Sequence, residues 1–376
     1  MTSTIQVSRA LFDETAIAAA MDCLRGGWVG YGPRCRSLET RFLHGQNDWA
    51  LATGSCTSAL YLAALLIPHQ KNDEVIIPAS TFISTAMAFH WAGWRVRIAD
   101  VAPDTLLLTP KTLSAALSPH TRAVVAVHLY GQKAETPALA ELCKAHHCVL
   151  VEDAAHRLPL PGDTPPDGQY VCYSFNAVKE APAGEGGLLW CADPSREAAA
   201  REISNVGLQM DTPQRCASPL HRDYAFSQQG GLKLRLNDIA AALALRGLDH
   251  LATTRKQRQV LARNYDDACR HLAPNIRPLP RNFHDDSALM YLIRTSEDRR
   301  ESIRQKLAAA NISTSMHYPS LSAHPLWQNN ACPAAEQAAR EILTLPLHLG
   351  LSPADQQAVI DALHQAVSGA PGTNVR

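Results

Sequence analysis

The chain has 376 residues, 46% hydrophobic and 19% charged, enough for an ample core and for two domains. Lysine plus arginine equals aspartate plus glutamate at 35 each, so no net field recruits nucleic acid or an anionic membrane. The opening segment MTSTIQVSRALFDETAIAAAMDCLRGG has no basic stretch followed by an apolar run, and no later stretch reaches membrane-spanning length uninterrupted, so a cytoplasmic location is expected.

From Trp49 onward, strand-like and helix-like segments alternate. WALATG leads into the apolar TSALYLAALLI, and DEVIIPA into TFISTAMAFHWAG. RVRIADV, TRAVVAVHLY and CVLVED follow, with a helical ETPALAELCKAH before the last. Tyr170–Trp190 reads as a buried strand, a loop of small residues and a second buried strand. Short apolar strands separated by helices predict an α/β fold with a mostly parallel sheet covered on both faces. In such sheets ligands lie beyond the carboxyl ends of the strands.

Near Asn237 the pattern becomes one long helix, NDIAAALALRGLDHLATTRKQRQVLARNYDDACRHL, suited to linking two domains. A shorter unit follows: the strand ALMYLIRT, the helix RRESIRQKLAAAN, an extended ISTSMHYP and a final helix PADQQAVIDALHQAV. The expected division is a large domain over 1–250 and a small one over 251–376. The ten cysteines are scattered singly, several within apolar runs, which favours buried thiols over disulfides. CKAHHC, Cys143 to Cys148, offers metal-ligating side chains, but it reads as a helix end entering a strand and lacks a second cluster, so no metal is expected.

The strand ends carry the chemistry. Asp153 ends VLVED, where it can cap the next segment or pair with a cationic ring nitrogen, and His156 follows it. Thr57 and Ser58 open a helix, a plain cap or an anion site. Ser174 ends another strand, and Phe82 lies just past one, packed in the core or covering a planar ring. Lys179 sits in the small-residue loop, where an amine must reach water or be used. Phosphate donors, an acid, an aromatic face and a lysine at one sheet edge suit pyridoxal 5′-phosphate. No G-x-G-x-x-G follows the first strand, which argues against a dinucleotide enzyme.

Several stretches in order, GGWVGYGPRCRSLE, DEVIIPASTFISTAMA, VHLYGQKAE, VEDAAH, SFNAVKEAPAGEGG, LKLRLNDIAAALAL and STSMHYPSL, give the chain a resemblance along nearly its whole length. It resembles the nucleotide-sugar aminotransferases of the DegT/StrS type, fold-type I pyridoxal phosphate enzymes. The resemblance implies a mostly parallel seven-stranded sheet between helices, with a smaller α+β C-terminal domain. It makes Lys179 the residue that joins the cofactor aldehyde as a Schiff base, Asp153 the partner of the ring nitrogen and His156 the residue facing the phenolic oxygen. Thr57, Ser58 and Ser174 match phosphate contacts, Phe82 the ring-stacking aromatic, and Arg235 a residue reaching the phosphate from a partner subunit, so a homodimer is expected. His317 and Tyr318, in MHYP, can line the acceptor site or serve equally in a structural role. The implied reaction moves an amino group from L-glutamate to the keto group of a nucleotide-linked deoxy sugar.

The chain departs from the family pattern at Cys56, where Gly is common, at Leu232 and Leu234, where aromatics are usual, at Leu289 and Met290, and in the proline-rich RLPLPGDTPPDG after His156. These positions bear on the substrate and leave the lysine and acid untouched. A carbocyclic ketone acceptor and a non-catalytic protein on the same fold are the alternatives. A sugar dehydratase is disfavoured, because there histidine replaces the lysine.

Overall fold

A computed structural model describes residues 4–211, 215, 224–228 and 230–368. Seven strands form the main sheet: β1 (Trp49–Thr53), β2 (Glu74–Pro78), β3 (Arg95–Ala99), β4 (Thr121–Val127), β5 (Val149–Ala154), β6 (Tyr170–Ser174) and β7 (Gly187–Cys191). Their order is β1-β7-β6-β5-β4-β2-β3. Only β7 runs against its neighbours, pairing antiparallel with β1 and β6, so the other six direct their carboxyl ends to one edge.

Apart from the edge strand β3, RVRIA, which is only partly buried, these strands are largely apolar runs because both sheet faces are covered. Alternate residues divide between the faces: Leu51, Val75, Ile77, Val125, Val151 and Leu189 join one cluster. Ala50, Ala52, Val171, Tyr173 and Leu188 pack on the other side with Leu236, Ala240, Ala241 and Ala244. The helices Cys56–Leu66 and Ile83–Trp91 cover the first face, adding Leu60, Leu62, Ala63, Ala86 and Phe89 to its cluster.

The long helix expected from Asn237 is two helices, Asp238–Asp249 and Leu251–Arg270, separated at His250, whose φ of −106° and ψ of 1° leave the helical region. The first packs on the main sheet; the second buries Ala262, Tyr265 and Cys269 in a separate cluster with Ile293, Leu343 and Leu363. Two different cores therefore claim the two halves, and the chain turns between them.

That second cluster packs against a three-stranded antiparallel sheet, ordered β10-β9-β8, of β8 (Arg277–Pro278), β9 (Tyr291–Arg294) and β10 (Ile342–Leu345). β10 was not anticipated; the expected extended segment 312–319 instead contributes only bridges, Ile5 to Ile312 and Ser315 to Thr344. Beyond it, Leu321 N–H donates to the Ala79 carbonyl just past β2 (2.9 Å), which brings His317 and Tyr318 to the main sheet's carboxyl edge. Every described cysteine is a free buried thiol, and no described group of His, Cys, Asp or Glu could hold a metal ion. No described helix is long and apolar enough to cross a membrane.

Candidate active site

Beyond the ends of β4, β5 and β6 lies a cleft of about 440 Å³, a size suited to a cofactor with part of its substrate. Its walls come from the starts of the helices Cys56–Leu66 and Ile83–Trp91, the end of β5, the loop 175–186, and residues 290, 317 and 318.

Lys179 stands in that loop, which is pinned as a hairpin by Phe175 N–H to Gly186 O (2.9 Å), Ala177 N–H to Gly184 O (2.8 Å) and Ala183 N–H to Phe175 O (2.7 Å). Its own N–H closes a turn on Asn176 O at 2.9 Å. The residue is half-buried as a whole, but its amine lies deep in the cleft, and no described residue bonds it. Desolvation brings its pKa down to about 8, against the opposing pull of Cys56 and Asp153. About a tenth of this amine is therefore neutral, and nucleophilic, at pH 7, far more than for a solvated lysine.

Asp153, buried at the end of β5, accepts from the Thr85 hydroxyl at 2.8 Å and from Ala155 N–H at 3.1 Å. The Cys56 thiol lies 3.9 Å from Oδ1, the oxygen that accepts from Ala155, so contrary to expectation this departure from the family pattern does reach the acid. Burial raises its pKa, and the bonds from Thr85 and Ala155 work against that rise. A desolvated carboxylate of this kind gains most by facing a protonated ring nitrogen.

His156 is held neutral, its pKa pushed well below the usual range by burial and then by the charge on Lys179. Tyr130 N–H, which can only donate, meets Nδ1 at 3.1 Å. Nδ1 is therefore the acceptor and Nε2 carries the proton. Nε2 points to the Tyr318 hydroxyl at 3.2 Å. His317 is also neutral, with burial bringing its pKa down to about 4; its Nδ1 lies 2.9 Å from the Thr344 hydroxyl, and its carbonyl accepts from the Tyr130 hydroxyl at 2.6 Å.

At the opposite end, Ser55 caps the helix Cys56–Leu66, its hydroxyl accepting from Ser58 N–H at 3.1 Å. The N–H groups of Cys56 and Thr57 have no acceptor among the described residues, and they open on the cleft beside Ser174. Gly187 makes this placement possible: a Cβ there would lie 2.4 Å from Cys56 N. Phe82 exposes 54% of its surface at the mouth, an uncovered aromatic whose ring is 5.7 Å from that of Tyr318.

Of the residues named from sequence, Lys179, Asp153, His156, Thr57, Ser174, Phe82, His317 and Tyr318 line this one cleft. Ser58 and Arg235 do not. Ser58 turns back to the cap, its hydroxyl 3.0 Å from that of Ser55. Arg235 stacks on Tyr31 at 4.7 Å and donates to Ser204 Oγ (3.2 Å) and Arg201 O (2.7 Å), so in its own chain it faces away from the cleft. Sequence reasoning passed over Ser55, Thr85 and Tyr130. The Ser55–Ser58 spacing is a legible cap signal, and Thr85 lies one helical turn past Phe82, but nothing marked Tyr130, which adopts φ 62°.

The model of the DegT/DnrJ/EryC1/StrS aminotransferase family matches residues 11–364. The chain belongs to this family. It is 28% identical over 373 residues, 96% of this chain and 97% of the other, to a dTDP-4-dehydro-2,3,6-trideoxy-D-glucose 4-aminotransferase of Saccharopolyspora spinosa. The aminotransferase TlmJ of Streptoalloteichus hindustanus superposes with a TM-score of 0.88 at 27% identity, covering 97% of this chain and 99% of that one. Spr1654 of Streptococcus pneumoniae, described as a sugar aminotransferase and solved in its PMP form, gives 0.87 at 26% identity over 96% and 99%.

As a DegT/DnrJ/EryC1/StrS aminotransferase, the protein transfers amino groups with pyridoxal phosphate. The donor set fits that cofactor: a desolvated amine, a buried acid, free helix N–H groups with hydroxyls, and an uncovered aromatic ring all open on one cleft.

Proposed function

We propose that the protein moves an amino group from L-glutamate to the keto group of a nucleotide-linked deoxy sugar. The observation that carries this reading is the meeting of the Lys179 amine, the Asp153 carboxylate and the neutral His156 ring in one cleft. The Saccharopolyspora relative, similar along nearly the whole chain, acts on a dTDP-linked keto sugar, which supports the acceptor class.

Pyridoxal phosphate, when bound, supplies an electron sink for the pair released as the donor's α-carbon loses its proton. Lys179 would be its covalent anchor and, when free, the base that takes the donor's α-proton on Nζ; the low pKa equips it for both roles. Asp153 would keep the ring nitrogen protonated, with Thr85 and Ala155 N–H fixing the carboxylate. His156, whose Nε2 meets the Tyr318 hydroxyl, would offer its Nε2–H to the phenolic oxygen when the cofactor is bound. Thr57, Ser174 and the N–H groups at the start of the helix Cys56–Leu66 receive the phosphate, and Phe82 covers the ring. His317 and Tyr318, from the opposite wall, meet the acceptor. In the second half-reaction Lys179 returns a proton to the former keto carbon, so the kinetics are ping-pong.

The same reading takes the working unit as a homodimer in the cytoplasm, with Arg235 serving the partner's cleft; Ser58, bound to the Ser55 cap through both its N–H and its hydroxyl, contributes to the phosphate site by holding the helix start. Ile17, Met21 and Leu24 on the helix Glu14–Gly26, with Trp28 and Val29 after it, expose an apolar stripe of the kind subunit interfaces cover. The break at His250 supports a large domain over 1–250 and a small one over 251–376.

Incubation of the purified protein with L-glutamate and a dTDP-linked 4-keto-6-deoxy sugar, followed by mass spectrometry, tests the reading. Formation of 2-oxoglutarate together with the amino sugar is the expected result. Turnover only with an inositol-derived ketone would instead assign the carbocyclic reaction.

A further inference from the structure

Glu180 follows Lys179 directly, and its side chain turns away from the cleft into the interior. There it meets Arg255, on the helix Leu251–Arg270, as a two-pronged pair: Oε1 to Nε at 2.9 Å and Oε2 to Nη2 at 3.0 Å. Both residues are buried. Each also bonds the backbone of Leu158, Glu180 Oε2 accepting its N–H at 2.7 Å and Arg255 Nη2 donating to its carbonyl at 2.7 Å.

Leu158 stands two residues past His156. One closed ring of four bonds thus ties the backbone beside Lys179 to the backbone beside His156, and ties both to a helix outside the main sheet. Two further observations show how tightly the loop is held. A Cβ on Gly247, in the preceding helix, would lie 2.7 Å from the Cα of Ala181, so the next residue of the loop rests directly on that helix. Arg258, one turn beyond Arg255, is buried with Nε and Nη1 unpartnered among the described residues, and the charge of Glu180 acts on it. An ion pair this buried does not readily exchange its partners for solvent, and removal of Glu180 would leave the charges of Arg255 and Arg258 both uncompensated.

We infer that Glu180 and Arg255 are positioning residues for the amine: their ion pair fixes the backbone on which Lys179 and His156 stand, and so sets where Nζ lies relative to Asp153. This rests on reading Lys179 as the cofactor's attachment point. Neither residue touches the cleft's contents; they act through the two that do.

The test uses holoprotein prepared with pyridoxal 5′-phosphate, as wild type, Glu180→Gln and Arg255→Lys. Three quantities are read: the pH midpoint of the visible band of the lysine-bound cofactor, the rate at which L-glutamate bleaches that band per bound cofactor, and the thermal midpoint. Misplacement of the amine should slow bleaching about ten-fold or more. It should also move the pH midpoint by about half a unit. The change should be larger in Glu180→Gln than in Arg255→Lys, which keeps the charge and loses only the fork. A fall in thermal midpoint with the pH midpoint and bleaching rate unchanged would overturn the inference and leave the pair merely structural. Should Glu180→Gln not fold, Arg255→Lys decides by the same two readouts. A wild-type protein with no glutamate-sensitive visible band would overturn the reading of Lys179 itself, and this inference with it.

Discussion

Lys179 works because of what surrounds it. Burial outweighs the two neighbours that favour its charge, leaving a pKa of about 8 where a solvated lysine has 10.5. As pH rises through that value the amine loses its proton, so capture of pyridoxal phosphate by cofactor-free protein should accelerate with a midpoint near 8; stopped-flow absorbance across the pH range checks it. Asp153 depends on a hydroxyl that sequence reading passed over. Thr85→Val removes a bond that lowers the acid's pKa, so the acidic limb of the activity profile should move to higher pH. The variant should also lose about 1–3 kcal/mol of stability for the buried oxygen left without its donor, measurable by denaturant titration. Lys179, Asp153 and His156 were legible because they interrupt or end apolar runs, where a polar group needs a reason. Thr85 was not, since a hydroxyl in a helix's first turn reads equally well as a cap.

Elements matter here through their ends. The helix Cys56–Leu66 points its free N–H groups into the cleft because β7 offers it a bare backbone at Gly187. Gly187→Ala should push the two apart, destabilising the fold by about 1–3 kcal/mol and weakening cofactor binding, as followed by fluorescence titration with pyridoxal phosphate. The parallel strands and their helices were readable from hydrophobic periodicity. The reversal at β7 is a consequence of the short loop 175–186, which closes as a hairpin in place of a helical crossover. β10, inside REILTLPLHL, was missed because the helix Pro333–Glu341 runs straight into it, Ile342 being both the helix's cap and the strand's first residue. The break at His250 was missed because no proline marks it and the nearby Gly247 stays within the first helix; packing against two separate cores imposes it.

At the scale of the whole molecule, Arg235 is the residue whose expected role reaches beyond one chain. Within its own chain it turns from the cleft toward Tyr31, Ser204 and Arg201 and pairs with Asp211, so service to a neighbour would require it to leave these partners. If it serves the partner's phosphate, Lys179→Ala and Arg235→Ala should each be inactive alone. Refolded together, they should recover about a quarter of wild-type turnover, since random pairing leaves half the dimers mixed, with one intact site each. No recovery in a mixture shown by sedimentation to be dimeric would place Arg235 in its own chain's architecture. The C-terminal residues that reach the cleft, Met290, His317 and Tyr318, are where the whole fold bears on the substrate: Met290 N–H bonds Tyr130 O (3.3 Å), and Leu321 N–H on Ala79 O (2.9 Å) docks the segment that carries the other two.

The measurement that bears most directly on the account is an absorbance spectrum of the purified holoprotein before and after L-glutamate, with Lys179→Ala in parallel. The account predicts a visible band of lysine-bound cofactor that glutamate replaces with a near-ultraviolet one, and no such band in the folded Lys179→Ala variant. A visible band that survives glutamate, or one that persists without Lys179, would contradict it.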